Sequence, residues 1–348
     1  MKIILSGGGT IGSVSPLIAI HEKIKEIRPD ADVLWLATKD GPEHKLISTY
    51  NIPVRKIFAG KLRRYFSFKN FLDPFLVLFG FFQSLFIISK FKPDVLISAG
   101  GFVSVPVTWS GWFLRRPSII HQQDIRPGLA NKLMAPFAKI ITVAFEKSLN
   151  DFPGRKTVWV GNPARQEMLK GDIDKAYDFF KLDKNLPVVL VIGGGTGASR
   201  LNKIVLESLP ELLDFCQVIH LTGGKVDREA RHPRYHDYEF LIEQLKDAYT
   251  VADLVVTRAG MAALTELAAL KKPIIAVPIP NSHQEDNAGL FAKNNAAIIL
   301  AEDNLTARDF FEAIKETLAD KPRLENLSRN IGKVLGTDAA EKIVKMII

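Results

Sequence analysis

The stretch ADLVVTRAGMAALTELAALKKPIIAVPIPNSHQEDNAGLF, residues 252–291, decides the fold class. Leu254, Val255 and Val256 make a short apolar run after Asp253, the pattern of a buried parallel strand. Arg258, Ala259 and Gly260 turn the chain. Residues 261–270 are rich in Ala and Leu and predict a helix, which Lys271 and Lys272 close with positive charge and Pro273 stops. Residues 274–277 predict a second apolar strand. A polar loop follows, then a helix from about Asn287.

A strand feeding a helix in this way places the helix N-terminus at the carboxyl end of a parallel strand, where open α/β sheets take their ligands. Gly260 lets a ligand approach the backbone, and the N–H groups of Met261, Ala262 and Ala263 can hold a phosphate. Glu266 is too far along to cap the helix. Its side chain leans back toward the N-terminus, where a carboxylate can accept hydrogen bonds from the two neighbouring hydroxyls of a ribose. Gln284 and Asn287 each carry donors and acceptors suited to sugar hydroxyls. Alone, each of these is read as an ordinary surface polar residue. Together at this spacing they describe a site for a sugar nucleotide.

Working outward, 348 residues suffice for about two domains. A hydrophobic content of 47% supports full cores and excludes disorder. One cysteine, Cys216, excludes internal disulfides and cysteine-rich metal sites and fits a reducing compartment. The first apolar run, residues 3–5, is too short for a signal peptide and reads as a strand. The net charge of +8 points to an anionic partner, either a membrane surface or a phosphorylated substrate. No nucleic-acid motif and no long basic run occurs, so nucleic acid is the least supported partner.

From the N-terminus, residues 2–6 predict a strand and Gly7-Gly8-Gly9-Thr10-Ile11-Gly12-Ser13 a glycine loop able to cradle a phosphate. Ser15 reads as the cap of the next helix, with Pro16 in its first turn. The loop lacks the Gly-Lys-Ser/Thr of a Walker A motif and departs from GxGxxG, so alone it says little. Strands follow at 33–37, 94–98, 118–121, 140–143 and 158–160, alternating with helices, and each polar cluster falls just after a strand. That alternation predicts a parallel doubly wound domain. Between Phe58 and Phe91 lie ten of the 22 Phe residues, and Lys61, Arg63, Arg64 and Lys69 crowd the start. Residues 75–88 are almost wholly apolar but fall short of the ~20 needed to span a bilayer. The segment is read as an amphipathic element lying on an anionic membrane surface, against the alternative of a buried core helix.

A boundary is expected between residues 161 and 186. Residues 188–192 then form a strand before Gly193-Gly194-Gly195-Thr196-Gly197-Ala198-Ser199, an echo of residues 7–13. Two such openings half a chain apart predict two similar domains facing a cleft. His232, Arg234, Tyr235 and His236 read as loop without metal-ligand spacing, and no metal is expected. A helix is expected at 241–249 and two more at 306–319 and 322–348, the last reaching back toward the first domain. The expected divisions are 1–160, 161–330 and 331–348.

The motifs GGGTIGSVSP, AGGFVSVP, HQQDIRPGLANK, GNPAR, GGGTGASRLN, RAGMAALTE and HQEDNA, in this order, make the chain resemble the MurG family nearly end to end. These enzymes add N-acetylglucosamine to an undecaprenyl-linked muramyl-pentapeptide lipid. The resemblance implies an α/β fold of two Rossmann-like doubly wound domains, the GT-B architecture. It implies an inverting transferase without a cofactor, working peripherally at the cytoplasmic face of the bacterial membrane. UDP-N-acetylglucosamine would lie on the helix of Met261, Ala262, Ala263, Leu264 and Thr265. Glu266 would hold the ribose, Gln284 the sugar and the backbone near Ile242 the uracil. Arg165 and the loop at Gly195 and Thr196 would also touch the donor. Thr10, Ile11, Gly12 and Ser13, with Asp124, would face the lipid acceptor, and the segment from Phe58 to Phe91 would dock on the membrane.

Two departures bear on catalysis. The family's first loop reads Gly-Gly-Thr-Gly-Gly-His, whereas here Ser13 stands where the histidine proposed as general base would be. The family's His-Glu-Gln-Asn reads His121-Gln122-Gln123-Asp124, which moves a carboxylate to the end of the motif. Serine without a partner is a poor base, so Asp124 becomes the candidate to take the acceptor proton, with a purely structural role in its loop equally open. Competing functions are a sugar-nucleotide epimerase of the same fold and a non-catalytic sugar-nucleotide-binding membrane scaffold.

Overall fold

The computed structural model describes residues 1–60, 69–194, 198–224 and 232–348. They form two compact units, Met1–Arg165 with Thr337–Ile348, and Gln166–Gly336.

The first unit is built on seven parallel strands: β1 (Lys2–Ser6), β2 (Asp32–Ala37), β3 (Val54–Lys56), β4 (Val95–Ser98), β5 (Ser118–Gln122), β6 (Ile140–Val143) and β7 (Thr157–Trp159). Their order is β3-β2-β1-β4-β5-β6-β7. The crossovers include α1 (Ser15–Ile27), α2 (Glu43–Ser48), α3 (Lys69–Phe91), α4 (Ser104–Phe113) and α5 (Leu129–Met134). Central strands read as near-continuous apolar runs because helices cover both sheet faces. Ile3, Ile4 and Leu5 of β1 are fully buried. The order reverses between β1 and β4, whose last residues, Ser6 and Ser98, are level in the register. The loops after these two strands therefore leave side by side and part in opposite directions, which opens a crevice at the carboxyl edge.

The second unit repeats the plan. Its strands are β8 (Val188–Ile192), β9 (Gln217–Leu221), β10 (Tyr235–Tyr238), β11 (Leu254–Thr257), β12 (Ile274–Ala276) and β13 (Ile298–Ile299), in the order β10-β9-β8-β11-β12-β13. All are parallel. The helices are α6 (Ile173–Phe180), α7 (Ser199–Leu212), α8 (Leu245–Val251), α9 (Met261–Ala269), α10 (His283–Lys293), α11 (Ala307–Ala319) and α12 (Lys321–Val334). Here the order reverses between β8 and β11, with Ile192 level with Thr257. One core of Val189, Val191, Val205, Val256, Phe310 and Ile314 joins sheet and helices. The final helix, α13 (Ala339–Lys345), belongs to the first unit, where it packs on α1.

Several local expectations are corrected. Ser15 is the first residue of α1 and not its cap; Val14 occupies the cap position without a side-chain bond. Tyr235 and His236 belong to the edge strand β10 and not to a loop; Tyr235 pairs with Val218 and His236 with Ile219. The helix expected over 322–348 is two helices, because the chain leaves helical geometry at Leu335, just before Gly336. The short helix expected at 241–249 forms later, as α8.

The apolar segment is a 23-residue helix, longer than its sequence breaks at Asp73 and Pro74 suggest. From Asp73 to Phe91 it is long and apolar enough to cross a membrane by length and composition. Its inner side, however, is bonded to the domain. Gln83 Oε1 accepts the Phe58 N–H at 2.9 Å, Ser110 Oγ donates to the Phe81 carbonyl at 2.9 Å, and Ile88 is fully buried. The outer side is apolar and uncovered: Phe75, Leu78, Phe79, Phe82 and Phe86 are between 52% and 69% exposed. These positions repeat at helical spacing, so one stripe of the helix faces outward as a continuous apolar strip. Trp112 and Phe113 at the end of α4 are exposed as well. The basic residues Lys61, Arg63 and Arg64 lie outside the described residues.

Candidate functional site

At the carboxyl edge of the first unit three loops are knitted together. The loop after β1 is braced from every side. Trp35 Nε1 donates to the Gly7 carbonyl at 2.9 Å, and Gly9 N–H donates to Glu43 Oε2 at 3.1 Å. The Ser13 hydroxyl lies 3.2 Å from both the Gly8 and the Thr10 carbonyls. A Cβ on Gly101 would sit 2.7 Å from the Gly8 carbonyl oxygen, so the loop after β4 requires glycine to approach. Gln123 Nε2 then donates to the carbonyls of Gly12 at 3.0 Å and Ala99 at 3.3 Å, tying the loop after β5 to both others. This brings Thr10, Ile11, Gly12, Ser13 and Asp124 to one edge. Thr10 is exposed, and Ile11, Gly12 and Asp124 are half-buried.

Ser13 is buried and its hydroxyl hydrogen points at its own loop, so its position is that of a brace and not of a base. The Gly9 amide is likewise taken by Glu43 and is not available to a phosphate. His121 is buried, with Nε2 2.7 Å from Asn162 Oδ1 and Nδ1 3.0 Å from Thr142 Oγ1. Asn162 Oδ1 only accepts, so Nε2 carries the proton. Burial pushes the His121 pKa down to about 4, against the opposing bond to Asn162. The neutral ring orders the strand ends and leaves Asp124 as the ionisable side chain of its motif. The Asp124 main-chain carbonyl accepts Gln122 Nε2 at 2.7 Å, and Gln122 Oε1 accepts Asn131 Nδ2 at 2.7 Å. This network fixes the turn that carries Asp124.

In the second unit, Gly260 sits at the cap of α9 in extended geometry and makes no side-chain cap bond. A Cβ on Gly260 would meet nothing within 4 Å, so the approach to the helix end is open. The helix itself offers no partner to the N–H groups of Met261, Ala262 and Ala263. Leu264 adds none: its N–H donates to the Gly260 carbonyl at 3.1 Å and its side chain is in the core. Thr265 turns its hydroxyl to the Met261 carbonyl at 2.6 Å. Glu266 is 2% exposed and faces α8, where the Tyr249 hydroxyl lies 3.3 Å from its Oε2. Ile242 is half-buried in the turn preceding α8. Gln284 Oε1 accepts the Ile279 N–H at 3.0 Å, which fixes the carboxamide at the start of α10. Asn287 departs from the expected sugar contact. It is fully buried, and its Nδ2 donates to the Ala259 carbonyl at 3.1 Å, securing the turn before α9.

The same turn has a second anchor that the sequence did not reveal. Arg258 is buried, donates through Nη1 to the Val277 carbonyl at 2.9 Å and pairs through Nη2 with Glu302 at 2.5 Å. It joins the loop after β11, which starts α9, to the loop after β12, which leads to Gln284. Nothing in the spacing of Arg258 and Glu302, 44 residues apart, signals this pair. Arg165 is buried and ends the first unit. Gly195 and Thr196 lie outside the described residues.

Two tandem Rossmann-like domains, each with glycines at its sheet-order reversal and one with a helix N-terminus there, define the GT-B architecture, and the family matches make this one a glycosyltransferase. Residues 3–143 match the glycosyltransferase family 28 N-terminal domain, and residues 188–345 match its C-terminal domain. The chain belongs to glycosyltransferase family 28. It is 37% identical, over 99% of both chains, to UDP-N-acetylglucosamine--N-acetylmuramyl-(pentapeptide) pyrophosphoryl-undecaprenol N-acetylglucosamine transferase 2 of Bacillus anthracis. A transferase of the same name from Lachnospira eligens is 39% identical, covering 99% of this chain and 98% of that one. Among solved structures, MurG of Acinetobacter baumannii superposes with a TM-score of 0.72 at 25% identity, over 99% of this chain and 98% of that one. The UDP-GlcNAc 2-epimerase of Neisseria meningitidis, bound to UDP-GlcNAc, superposes with a TM-score of 0.75 at 13% identity, over 100% and 99%. That likeness is one of fold.

Proposed function

We propose that the chain transfers N-acetylglucosamine from UDP-N-acetylglucosamine to undecaprenyl-pyrophosphoryl-N-acetylmuramyl-pentapeptide, converting lipid I to lipid II in peptidoglycan synthesis. The observation that carries this is the open N-terminus of α9 at the sheet reversal, in a chain 37% identical to transferases of that name along its whole length. The amides of Met261, Ala262 and Ala263 face the diphosphate and stabilise the charge that builds on UDP as it leaves. Glu266, already accepting from Tyr249, has lone pairs for the ribose hydroxyls. Gln284, anchored through its oxygen, offers its NH₂ end to the sugar.

The acceptor hydroxyl attacks the anomeric carbon from the face opposite UDP. The new C–O bond forms as the bond to phosphate breaks, with inversion, and the proton passes to the Asp124 carboxylate. What supports Asp124 is the occupation of Ser13 by its own loop, the neutral buried His121, and the braced turn that holds Asp124 next to the loop of Thr10 to Gly12.

The apolar stripe of α3 supports docking on a membrane. Lys2, Arg55 and Lys90 line a groove with Phe86 at the end of that stripe, an arrangement suited to anionic headgroups. The chain then acts as a peripheral enzyme at the cytoplasmic face of the membrane. Incubation with labelled UDP-N-acetylglucosamine and the lipid-linked acceptor tests the function. Transfer of label to the lipid is expected. Isomerised donor without acceptor would identify an epimerase, and binding without turnover a scaffold.

A further inference from the structure

The transfer chemistry leaves one buried charge at the carboxyl edge of the first unit unused. Glu43 opens α2 and is fully buried. Its Oε2 accepts the Gly9 N–H at 3.1 Å, while its Oε1 accepts the Thr38 N–H at 3.0 Å and the Thr38 hydroxyl. A carboxylate is tolerated in such a place only when donors converge on it, and bonds to an ionised acceptor are the stronger kind. Three donors from two loops meet here, and one comes from the middle of the glycine loop. Gly9 has φ of 81°, in the left-handed region, so the amide that Glu43 holds belongs to the residue whose conformation directs Thr10, Ile11 and Gly12. A Cβ on Gly8 would collide with Glu43 Oε1, so the carboxylate fills the space that this glycine leaves.

We propose that Glu43 is a positioning residue for the acceptor end of the reaction. It acts through Gly9, holding the tip of the glycine loop in its working shape before the acceptor arrives. Trp35, Ser13 and Gln123 hold only carbonyls of this loop. Glu43 differs from them in gripping an amide, and it does so with a charge. Loss of that charge frees Gly9 and lets the tip sample other conformations, which weakens the step that needs the acceptor hydroxyl aligned. The donor grip on α9 belongs to the other unit and does not depend on it. The inference rests on the transfer reading and on the assignment of residues 10–12 to the acceptor.

The test uses the full chain with Glu43→Gln, and with Thr38→Val and Thr38→Ser as a second pair in case the first variant does not fold. Three quantities are measured: steady-state kinetics with the lipid acceptor, calorimetric binding of UDP-N-acetylglucosamine, and amide exchange over residues 7–13. Glu43→Gln should keep the donor affinity, lose on the order of 10- to 100-fold in kcat/KM for the acceptor, and exchange faster at Gly9. Thr38→Val should move in the same direction, whereas Thr38→Ser, which keeps the hydroxyl, should behave as the unaltered chain. Acceptor kinetics unchanged in Glu43→Gln, or an equal loss of donor and acceptor binding, would overturn the proposal. If the unaltered chain binds donor but never transfers, the transfer reading fails. In that case Gly9 exchange decides separately whether Glu43 anchors the loop, and unchanged exchange refutes it.

Discussion

Replacing Arg258 by Met isolates the clamp beneath the turn that starts α9, where the sugar nucleotide is proposed to bind. The side chains of Arg258 and Glu302 are 8% and 7% exposed and 2.5 Å apart, so solvent screens the pair little. Removing the guanidinium leaves a buried, unpartnered carboxylate and strips the donor from the Val277 carbonyl. Breaking a buried pair from one side costs about 3–5 kcal/mol. For a unit of this size that corresponds to a fall in Tm of roughly 6–20 °C. All four Trp residues, Trp35, Trp109, Trp112 and Trp159, lie in the first unit. Calorimetry should therefore register the loss while the Trp fluorescence transition moves less. Arg258 Nε has no partner, so the native pair is incompletely satisfied. Removing both charges, in Arg258→Met with Glu302→Leu, should then be at least ~2 kcal/mol milder than the sum of the two single changes. Stability returns in the double variant but the tie between the α9 turn and the Gln284 loop does not, so its affinity for UDP-N-acetylglucosamine should stay about tenfold down. Additive single effects, or recovered stability with fully recovered affinity, would refute the clamp.

Asp124→Asn should lower kcat by about 100-fold while leaving donor affinity unchanged; an unaltered rate in a steady-state assay removes Asp124 as the base. Phe82→Asp and Phe86→Asp should each weaken binding to anionic vesicles by roughly 10- to 100-fold, the partition equivalent of losing about 1.5–3 kcal/mol of Phe burial, as read by vesicle sedimentation. His121, with its pKa lowered by burial to about 4, binds fewer protons folded than unfolded across the interval up to 6.5. Its contribution to stability is thus present above 6.5 and is lost as pH falls toward 4. Between pH 7 and pH 5 His121 should account for about 2 kcal/mol of a loss it shares with His21 and His220, whose pKa values burial also lowers to about 4; in denaturant unfolding His121→Asn should lessen the fall by about that amount without abolishing it.

The fold was legible wherever burial demanded long apolar runs. Residues 188–192 read as a strand because β8 is buried on both faces, and the two glycine openings at residues 7 and 193 marked the two sheet reversals. Strand β10 was hidden because Tyr-His-Asp-Tyr has no apolar alternation. It is held by its parallel pairing with β9 and by the contact of the Tyr235 hydroxyl with His220 at 3.0 Å, which no local pattern announces. The length of α3 was obscured by Asp73, which is buried in the fold and not at a helix break. At the site, the sequence showed which polar residues gather at the carboxyl edges but not which face inward. Ser13 satisfies carbonyls of its own loop and Asn287 the Ala259 carbonyl in the turn before α9, while Glu43 and Arg258, to which the sequence reading gave no binding role, hold those loops in place. The pairings of Asn287, Glu43 and Arg258 span 28 to 44 residues and depend on topology alone.

The central claim is that the second unit grips a sugar nucleotide through the free amides of α9, with Glu266 at the ribose and Gln284 at the sugar. Calorimetric titration of UDP-N-acetylglucosamine into the unaltered chain and into Glu266→Ala/Gln284→Ala tests it most directly. Saturable binding that weakens by at least ~100-fold in the double variant is expected, the loss of one charge-assisted and one neutral hydrogen-bonding partner. Equal affinity in both proteins, or no binding by the unaltered chain, would contradict the account.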